Sequence, residues 1–278
     1  MTLPPITPQQ QLLTNLLFSF RYSTRLHLQY YLGHSNPREV NRLLQDLVKK
    51  GYVRRVGEWS RNTEAEEEDK NKEDGGGITG SFHPAIYCIG PKGIRFLAKS
   101  KNISIKELKK RYKDGGHSQA FIDHQLLLTD IFLQFRQPTL ANGTKLTFQT
   151  KPDYEEGSTL ARFSPDAYVI EEGLEEKKIS LVEIIDIETQ RFIIKRRIRS
   201  LFKIYSSNSL EVETGEDFPT ILLICPTQEL RGFLNNYISA IQKDQAEDLV
   251  IKLTTYQKVK VRGVKSPIWK TAKAKDEE

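Results

Sequence analysis

Three carboxylates stand at the ends of two apolar, strand-like runs in the second half of the chain. Asp166 follows Pro165 at the start of one run, and Asp186 and Glu188 close the run "ISLVEIIDIE". Acids are seldom fully buried unless they are paired or bind a metal. Because side chains alternate along a strand, Asp186 and Glu188 share one face, and Glu183 lies on the other, where it would form a structural pair. We predict that Asp166, Asp186 and Glu188 converge on one Mg²⁺ or Mn²⁺ ion, which prefers oxygen ligands and can activate water beside a phosphodiester.

A helix predicted at 189–207 supplies positive charge directly after these acids. Lys195, Arg199 and Lys203 recur every four residues, and Arg196 lies alongside them. We predict that Lys195, Arg196 and Arg199 contact DNA phosphates. The alternative is structural, since the same cations could neutralise the acids as salt bridges without any chemistry.

The first third of the chain contains three amphipathic helical patterns that begin with cap residues, at 7–20, 23–33 and 35–51. In the third pattern Val40, Leu43, Leu44, Leu47 and Val48 are expected to face inward. The opposite face carries Arg38, Asn41, Arg42 and Gln45 at i, i+3, i+4 and i+7. These side chains are suited to base edges and phosphates, so the third helix is predicted to be a recognition helix.

Two alternating runs, 52–59 and 84–90, are predicted strands, and "PKGIRFLAK" follows them. Three helices followed by two strands are the pattern of a winged helix-turn-helix, which we assign to residues 1–100. The loop 60–83 would be its wing. Residues 64–74 hold seven acids and two bases, so this segment carries a net charge of −5 and is a poor phosphate binder.

The remaining chain predicts a second domain at 119–256, preceded by a linker helix and glycine hinge at 101–118 and followed by a basic tail at 257–278. The expected order is α-β-β-β-α-β-α-β, which indicates a mixed sheet flanked by helices and an α/β (α+β overall) fold class. The predicted elements are a helix at 119–137, strands at 145–151, 161–171 and 178–188, a helix at 189–207, a strand at 219–225, a helix at 227–242 and a strand at 249–256.

The charge distribution favours a polyanionic partner. The net charge is +6, and without residues 64–74 it is +11. No apolar run reaches the roughly 20 residues that span a bilayer, and the N-terminus lacks the layout of a signal peptide. Cys88 and Cys225 stand singly in apolar runs, which predicts buried free thiols and a cytoplasmic protein.

These motifs resemble two groups of proteins. The order helix, three strands, helix, strand with "PD…(D/E)x(K/E)" resembles the PD-(D/E)xK nuclease fold. The winged helix and the short motifs over residues 10–243 are similar to the replication-relaxation family, which includes MobC-type relaxases of mobilisable plasmids. The matching residues are His124 and Asp130, Phe163 with Pro165-Asp166-Ala167, Asp186 and Glu188 with Thr189 or Gln190, and Lys203 with Tyr205.

The resemblance implies binding of double-stranded DNA at an origin or operon and, in some members, metal-dependent nicking. Asp166, Asp186 and Glu188 would hold the metal, and Lys203 would fill the role of the motif lysine. His124, Asp130, Gln190 and Tyr205 would be accessory residues. Glu188 stands where the motif lysine is usual. Active nucleases with an acid-x-acid form exist, and a domain that only binds DNA would show the same change.

Two main hypotheses follow from the sequence. The first is a DNA-processing enzyme that nicks DNA. The second is a non-catalytic replication accessory protein or transcriptional regulator, whose nuclease-like domain serves for homodimerisation or for docking on other DNA-processing proteins. A weaker third hypothesis is a protein-interaction adaptor that uses the acidic loop.

Overall fold

The computed structural model describes residues 3–58, 84–100, 105–174, 176–245 and 248–272. The chain divides into two compact units, Met1–Leu126 and Leu127–Glu278. The predicted acidic wing at 60–83 lies outside the described residues. Both units combine helices with a β-sheet, which agrees with the predicted mixed α/β fold class.

The first unit has a three-stranded antiparallel sheet in the order β1-β3-β2. Its strands are β1 Tyr22–Thr24, β2 Val53–Glu58 and β3 Ala85–Ile89. Its helices are α1 Pro8–Phe20, α2 Arg25–Leu32, α3 Pro37–Lys50, α4 Pro91–Ser100 and α5 Ile105–Arg111. Helix α6, Gln119–Asn142, contains the boundary between the units.

Helix α3 begins and ends where its sequence predicts. The Asn36 side chain accepts a hydrogen bond from the backbone N–H of Arg38, and Gly51 ends the helix with φ 78°. Buried Val40, Leu44 and Leu47 form the inner face. The prediction that Val48 faces inward is wrong, because its side chain is 39% exposed.

The start of α4, Pro91-Lys92-Gly93, is shaped by a close approach of two backbone segments. The N–H of Gly90 donates to the carbonyl oxygen of Tyr52 at 2.7 Å. A Cβ atom on Gly93 would lie 2.4 Å from the same oxygen. Glycine is therefore required at position 93 for steric reasons.

The segment predicted as a linker makes buried contacts inside the first unit. Arg111 is 2% exposed, and Asp114 is 1% exposed. Arg21 Nε donates to Asp114 Oδ1 at 2.9 Å, and the Tyr22 hydroxyl donates to the Asp114 carbonyl oxygen. These contacts hold the end of this segment against the start of β1.

The second unit contains a six-stranded mixed sheet in the order β4-β5-β6-β7-β8-β9. Its strands are β4 Lys145–Thr150, β5 Ala167–Glu172, β6 Lys177–Ile184, β7 Thr220–Cys225, β8 Ile251–Thr255 and β9 Lys270–Thr271. Strands β4, β5 and β6 pair antiparallel, β6, β7 and β8 pair parallel, and β9 returns antiparallel to β8. The predicted mixed sheet with flanking helices is confirmed.

Helices of the second unit connect or extend these strands. They are α7 Thr159–Phe163, α8 Arg191–Ser206, α9 Ser209–Thr214, α10 Gln228–Gln245 and α11 Tyr256–Arg262, with a 3-10 turn at Lys151–Asp153. Buried residues of α8, including Ile194 and Ile198, join a core cluster with Leu181 of β6 and Leu223 of β7. One face of the sheet is therefore covered by α8.

Three predicted boundaries in this unit are wrong. The strand predicted at 161–171 begins only at Ala167, because Ser158 caps the short helix α7 in front of it. The strand predicted at 178–188 ends at Ile184. The predicted tail at 257–278 includes α11 and β9, and it buries Val259 and Ile268.

Both cysteines are free and buried, as predicted, and burial raises the pKa of each thiol to about 12. Across the described ranges, every helix is too short or too polar to cross a lipid bilayer.

Candidate active site

Strand register places a lysine and two acids side by side in the second unit. Thr150 pairs with Ala167, and Ala167 pairs with Val182. The next position on each chain segment is Lys151 after β4, Asp166 before β5 and Glu183 in β6. Because these three positions continue the same register, their side chains lie on one face of the sheet, at the same end of the three strands.

Asp166 is a buried carboxylate, 4% exposed, with both oxygens engaged. Lys151 Nζ donates to Asp166 Oδ1 at 2.8 Å. The backbone N–H of Ile184 donates to Asp166 Oδ2 at 2.8 Å. The second contact ties Asp166 to the end of the neighbouring strand and fixes its orientation beside Glu183.

Glu183 is 8% exposed and is held by Arg197 of α8. Arg197 Nη2 donates to Glu183 Oε1 at 2.5 Å, and its Nε donates to Oε2 at 3.3 Å. The same guanidinium donates to the carbonyl oxygens of Phe163 and Ser164, and it lies 3.8 Å from the ring centroid of Phe163. Arg197 is therefore fixed on several sides and orients Glu183.

The electrostatics of this group centre on Glu183. Burial raises its pKa to about 7, the Asp166 charge adds to the rise, and Arg197 and Lys151 oppose it. Burial lowers the pKa of Lys151, but attraction to Asp166 and Glu183 outweighs burial, so the pKa is raised overall. Glu183 can therefore exchange a proton near neutral pH, while Lys151 stays charged.

Two tyrosines lie at the margin of the group. The Tyr154 hydroxyl donates to the carbonyl oxygen of Pro165 at 3.2 Å, and the Tyr256 hydroxyl donates to that of Ile185. Burial raises the pKa of both phenols, and the Asp166 charge adds to each rise. The charge of Asp186 also raises the pKa of Tyr256. Both tyrosines anchor the backbone on either side of the acids.

The three carboxylates predicted from the sequence do not form one metal-binding group. Asp186 follows the end of β6 and is half-buried, and Glu188 is exposed in a turn. Among the described residues no group of three or more His, Cys, Asp or Glu is placed to hold a metal ion. The expectation that Glu183 lies on the face away from Asp166 is wrong, because β6 ends before Asp186 and its register brings Glu183 beside Asp166.

The basic residues predicted on α8 lie along its outer side. Arg196, Arg199 and Lys203 are exposed, and Lys195 is half-buried. Lys203 and Arg199 line a cavity with Phe202, and Lys151, Asp166 and Glu183 are not among its lining residues. Lys203 therefore lies outside the group formed by Asp166 and Glu183.

The predicted accessory residues are placed as follows. Gln190 is exposed at the start of α8 and makes no side-chain cap. The Tyr205 ring packs edge-on against Phe218, with their centroids 5.1 Å apart. His124 and Asp130 are half-buried on α6, and both interact with other groups of the protein.

The predicted recognition face of α3 is accessible in the first unit. Arg38, Arg42 and Gln45 are exposed, and Asn41 is half-buried. The charged and amide groups on this face can therefore reach a ligand.

Sequence reasoning missed Lys151 and Glu183, and a usable signal existed for each. Lys151 directly follows the run "KLTFQT", at the same edge as Asp166 if the two strands form a hairpin. The apolar pair Ile184-Ile185 separates Glu183 from Asp186. If β6 ends a few residues earlier than predicted, Glu183 takes the place beside Asp166 that was predicted for Asp186. The sequence does not distinguish Arg197 from its basic neighbours on α8.

Comparison with known proteins gives little further information. No protein-family model and no curated protein matches the chain. Among solved structures, restriction endonuclease FokI bound to DNA is similar with a TM-score of 0.30 and 9% sequence identity. The match covers 92% of this chain and 44% of the FokI chain, so this chain spans less than half of that length. A likeness this weak establishes neither a shared fold nor a shared function.

Proposed function

We propose that the protein binds double-stranded DNA and cleaves a phosphodiester bond in a divalent-metal-dependent reaction at Lys151, Asp166 and Glu183. One observation carries this proposal: the strand register brings a lysine and two buried acids together on one face of the sheet, at the same end of strands β4, β5 and β6. Buried acids in contact are costly, and they are concentrated at functional sites.

The donor chemistry of this group fits a divalent cation. The charge of Asp166 contributes to the raised pKa of Glu183, and a bound cation would relieve this repulsion. Mg²⁺ commonly takes one or two carboxylates and completes its shell with water and phosphate oxygens. Asp166 and Glu183 would supply those two carboxylates. When bound there, the ion would polarise the scissile phosphodiester.

The residues of this chain would then have separate tasks. Lys151 holds Asp166, and its side chain is 49% exposed, so its ammonium group can also contact a phosphate oxygen. Glu183 would serve the ion as a charged carboxylate ligand, because a bound cation offsets the burial and the Asp166 charge that raise its pKa. Arg197 positions Glu183 through two donors and is a positioning residue.

We propose further that the first unit is a winged helix that recognises DNA through α3. The order α1-β1-α2-α3-β2-β3 and the antiparallel sheet support this assignment. Arg38, Arg42 and Gln45 on α3 would enter the major groove. The motif resemblance to the replication-relaxation family supports a role at an origin of a plasmid or another mobile element.

A second candidate function is DNA binding without cleavage. It is favoured by the charge balance of the site, where Lys151 neutralises Asp166 and Arg197 neutralises Glu183. Two carboxylates facing two cations form a closed ion network that is stable without a metal. The protein would then be a replication accessory factor or a regulator.

Plasmid nicking separates the two candidates. The intact chain is incubated with supercoiled plasmid and Mg²⁺ or Mn²⁺, and relaxed product is followed on gels. We expect nicking that requires metal and that is lost in Asp166→Asn and Glu183→Gln. Lys151→Gln is expected to retain only a small fraction of the wild-type rate, because removing one such electrostatic group typically costs about 100-fold or more.

Glu188→Gln is the matched control, since it removes an exposed carboxylate. We expect it to nick at the wild-type rate. Loss of nicking in Glu188→Gln with retention in Glu183→Gln would return the site to the carboxylates predicted from the sequence. Absence of nicking with either metal, together with intact duplex binding, would establish the second candidate.

A further inference from the structure

Helices α8 and α10 carry two facing rows of side chains that the candidate active site does not use. The row on α8 is Arg191, Lys195, Arg199 and Lys203, spaced four residues apart. The row on α10 is Phe233, Tyr237 and Ile241, with the same spacing. We call the surface between these rows the α8–α10 groove. From Arg191 to Lys203 the cation row rises by twelve residue steps, which is roughly 18 Å of helix.

At one end of the groove, cations contact aromatic faces. The rings of Phe233 and Tyr237 are parallel within 3°, with centroids 6.4 Å apart. Lys195 Nζ lies 5.3 Å from the first centroid and 5.1 Å from the second. Arg191 lies 4.8 Å from the Phe233 centroid and also pairs with Glu229 at 2.6 Å. Both rings are half-buried, so each keeps an accessible part.

At the other end the groove opens into a cavity of about 460 Å³. Its lining combines two cations, two hydroxyl groups and two apolar walls, which come from Arg199, Lys203, Ser206, Ser207, Phe202 and Ile241. Arg199 and Lys203 are exposed, and neither forms an ion pair with any residue that the structure describes. This end therefore has positive charge available beside an apolar surface.

The charge of the groove indicates an anionic ligand. Helix α8 contains no acidic residue along its whole length. The apolar row indicates that this ligand also has flat, apolar parts. A DNA duplex presents phosphates to such a surface and keeps its bases stacked inside, whereas a single strand offers both phosphates and free base faces.

We propose that the α8–α10 groove binds a single strand of nucleic acid, with phosphates on the α8 row and bases against the α10 row. This inference rests on the proposed function, in which the protein acts on one strand of DNA. The groove belongs to the same helix, α8, that supplies Arg197 to the candidate active site.

The test measures binding of a fluorescein-labelled oligothymidylate to the intact chain by anisotropy. EDTA is present throughout, so that cleavage does not contribute. The test variant is the double substitution Arg199→Gln/Lys203→Gln, in which both side chains are exposed. Each lost phosphate contact lowers the slope of log affinity against log salt by about 0.7 for a single strand, so we expect a decrease of about 1.4. Near about 0.1 M salt this corresponds to a loss of roughly 25-fold in affinity.

Lys145→Gln/Lys178→Gln is the matched control. It removes the same charge from two exposed residues near the start of β4 and β6, at the end of these strands that lies away from Asp166. We expect this control to keep the wild-type slope. Tyr237→Leu tests the aromatic row, and it is expected to weaken binding severalfold without changing the slope. Circular dichroism melting of each variant verifies folding.

Several outcomes would overturn the inference. These are equal losses in the test and control double variants, binding of polyglutamate as tight as that of the oligonucleotide, and a loss confined to duplex DNA. The proposed function is refuted by a different result. If metal-dependent nicking is absent while oligothymidylate binding is intact, the nuclease activity is refuted and single-strand binding by the α8–α10 groove stands.

Discussion

Replacing Glu183 by glutamine should change how the stability of the second unit depends on pH. The ordinary pKa of a glutamate is 4.5, and in the folded protein burial and Asp166 raise that of Glu183 to about 7. Below pH 4.5 the group is protonated in both states, and its contribution to stability is fully present. Between pH 4.5 and about 7 only the folded state keeps the proton, so the free energy of unfolding falls as pH rises. Above about pH 7 the loss is complete.

The size of this loss follows from the two pKa values. One pKa unit corresponds to about 1.4 kcal/mol, so the wild-type protein should lose about 3 kcal/mol through Glu183 over this range. Glutamine resembles the protonated acid and does not titrate. The free energy of unfolding of Glu183→Gln relative to wild type should therefore rise by about 3 kcal/mol from pH 4.5 to about pH 8.

Urea unfolding followed by tryptophan fluorescence measures this difference. The sequence has two tryptophans, Trp59 and Trp269. In a Trp59→Phe background the signal comes from Trp269, whose indole N–H donates to the Val264 carbonyl oxygen inside the second unit. Wild type, Glu183→Gln and the exposed-site control Glu188→Gln are compared across the pH range. A difference between wild type and Glu183→Gln that does not vary with pH would refute the assignment of Glu183 as a buried titrating acid.

Two further predictions concern the stability of each unit. Arg197→Met leaves the Glu183 carboxylate buried without its main partner, so we expect the free energy of unfolding to fall by about 3 kcal/mol at pH 8 in the same fluorescence assay. At pH 5 Glu183 takes up a proton, and the fall should be clearly smaller. Equal losses at both pH values would contradict this. Gly93→Ala should destabilise the first unit by about 2 kcal/mol, because the added Cβ meets the Tyr52 carbonyl oxygen. In α10 the Cβ added by Gly232→Ala meets open space, so this substitution should stabilise the second unit by up to about 1 kcal/mol. Thermal unfolding by circular dichroism measures both, and effects of the same sign would contradict the steric argument.

Helix boundaries and burial patterns were largely predictable from the sequence. The Asn36-Pro37 start and Gly51 end of α3 were read from residues that act locally. The mixed sheet of the second unit was also predictable, because apolar runs alternate with helices that are long enough to cross over between parallel strands. The exposed side of α3 followed from periodicity alone.

The composition of the candidate site was not predictable in the same way. Whether Glu183 or Asp186 lies beside Asp166 depends on where β6 ends and on its pairing with β5, which is a tertiary property. A shift of the strand end by a few residues exchanges one acid for another while leaving the apolar pattern unchanged. The position of Lys151 after "KLTFQT" was a usable signal, but it puts Lys151 beside Asp166 only in the register in which β4 and β5 pair.

The C-terminal strand β9 closes the outer edge of β8. Its two residues, Lys270 and Thr271, pair antiparallel with β8, and the N–H of Ala272 donates to the Ile251 carbonyl oxygen at 2.8 Å. At the opposite edge, β4 begins with the exposed Lys145. An uncovered edge strand offers its backbone as a template for another chain, and a short edge strand that carries lysine resists this. Strand β9 has two residues and begins with a lysine, so it is such a strand, and a chain shortened before residue 270 is expected to expose the backbone of β8 to strand addition by another chain.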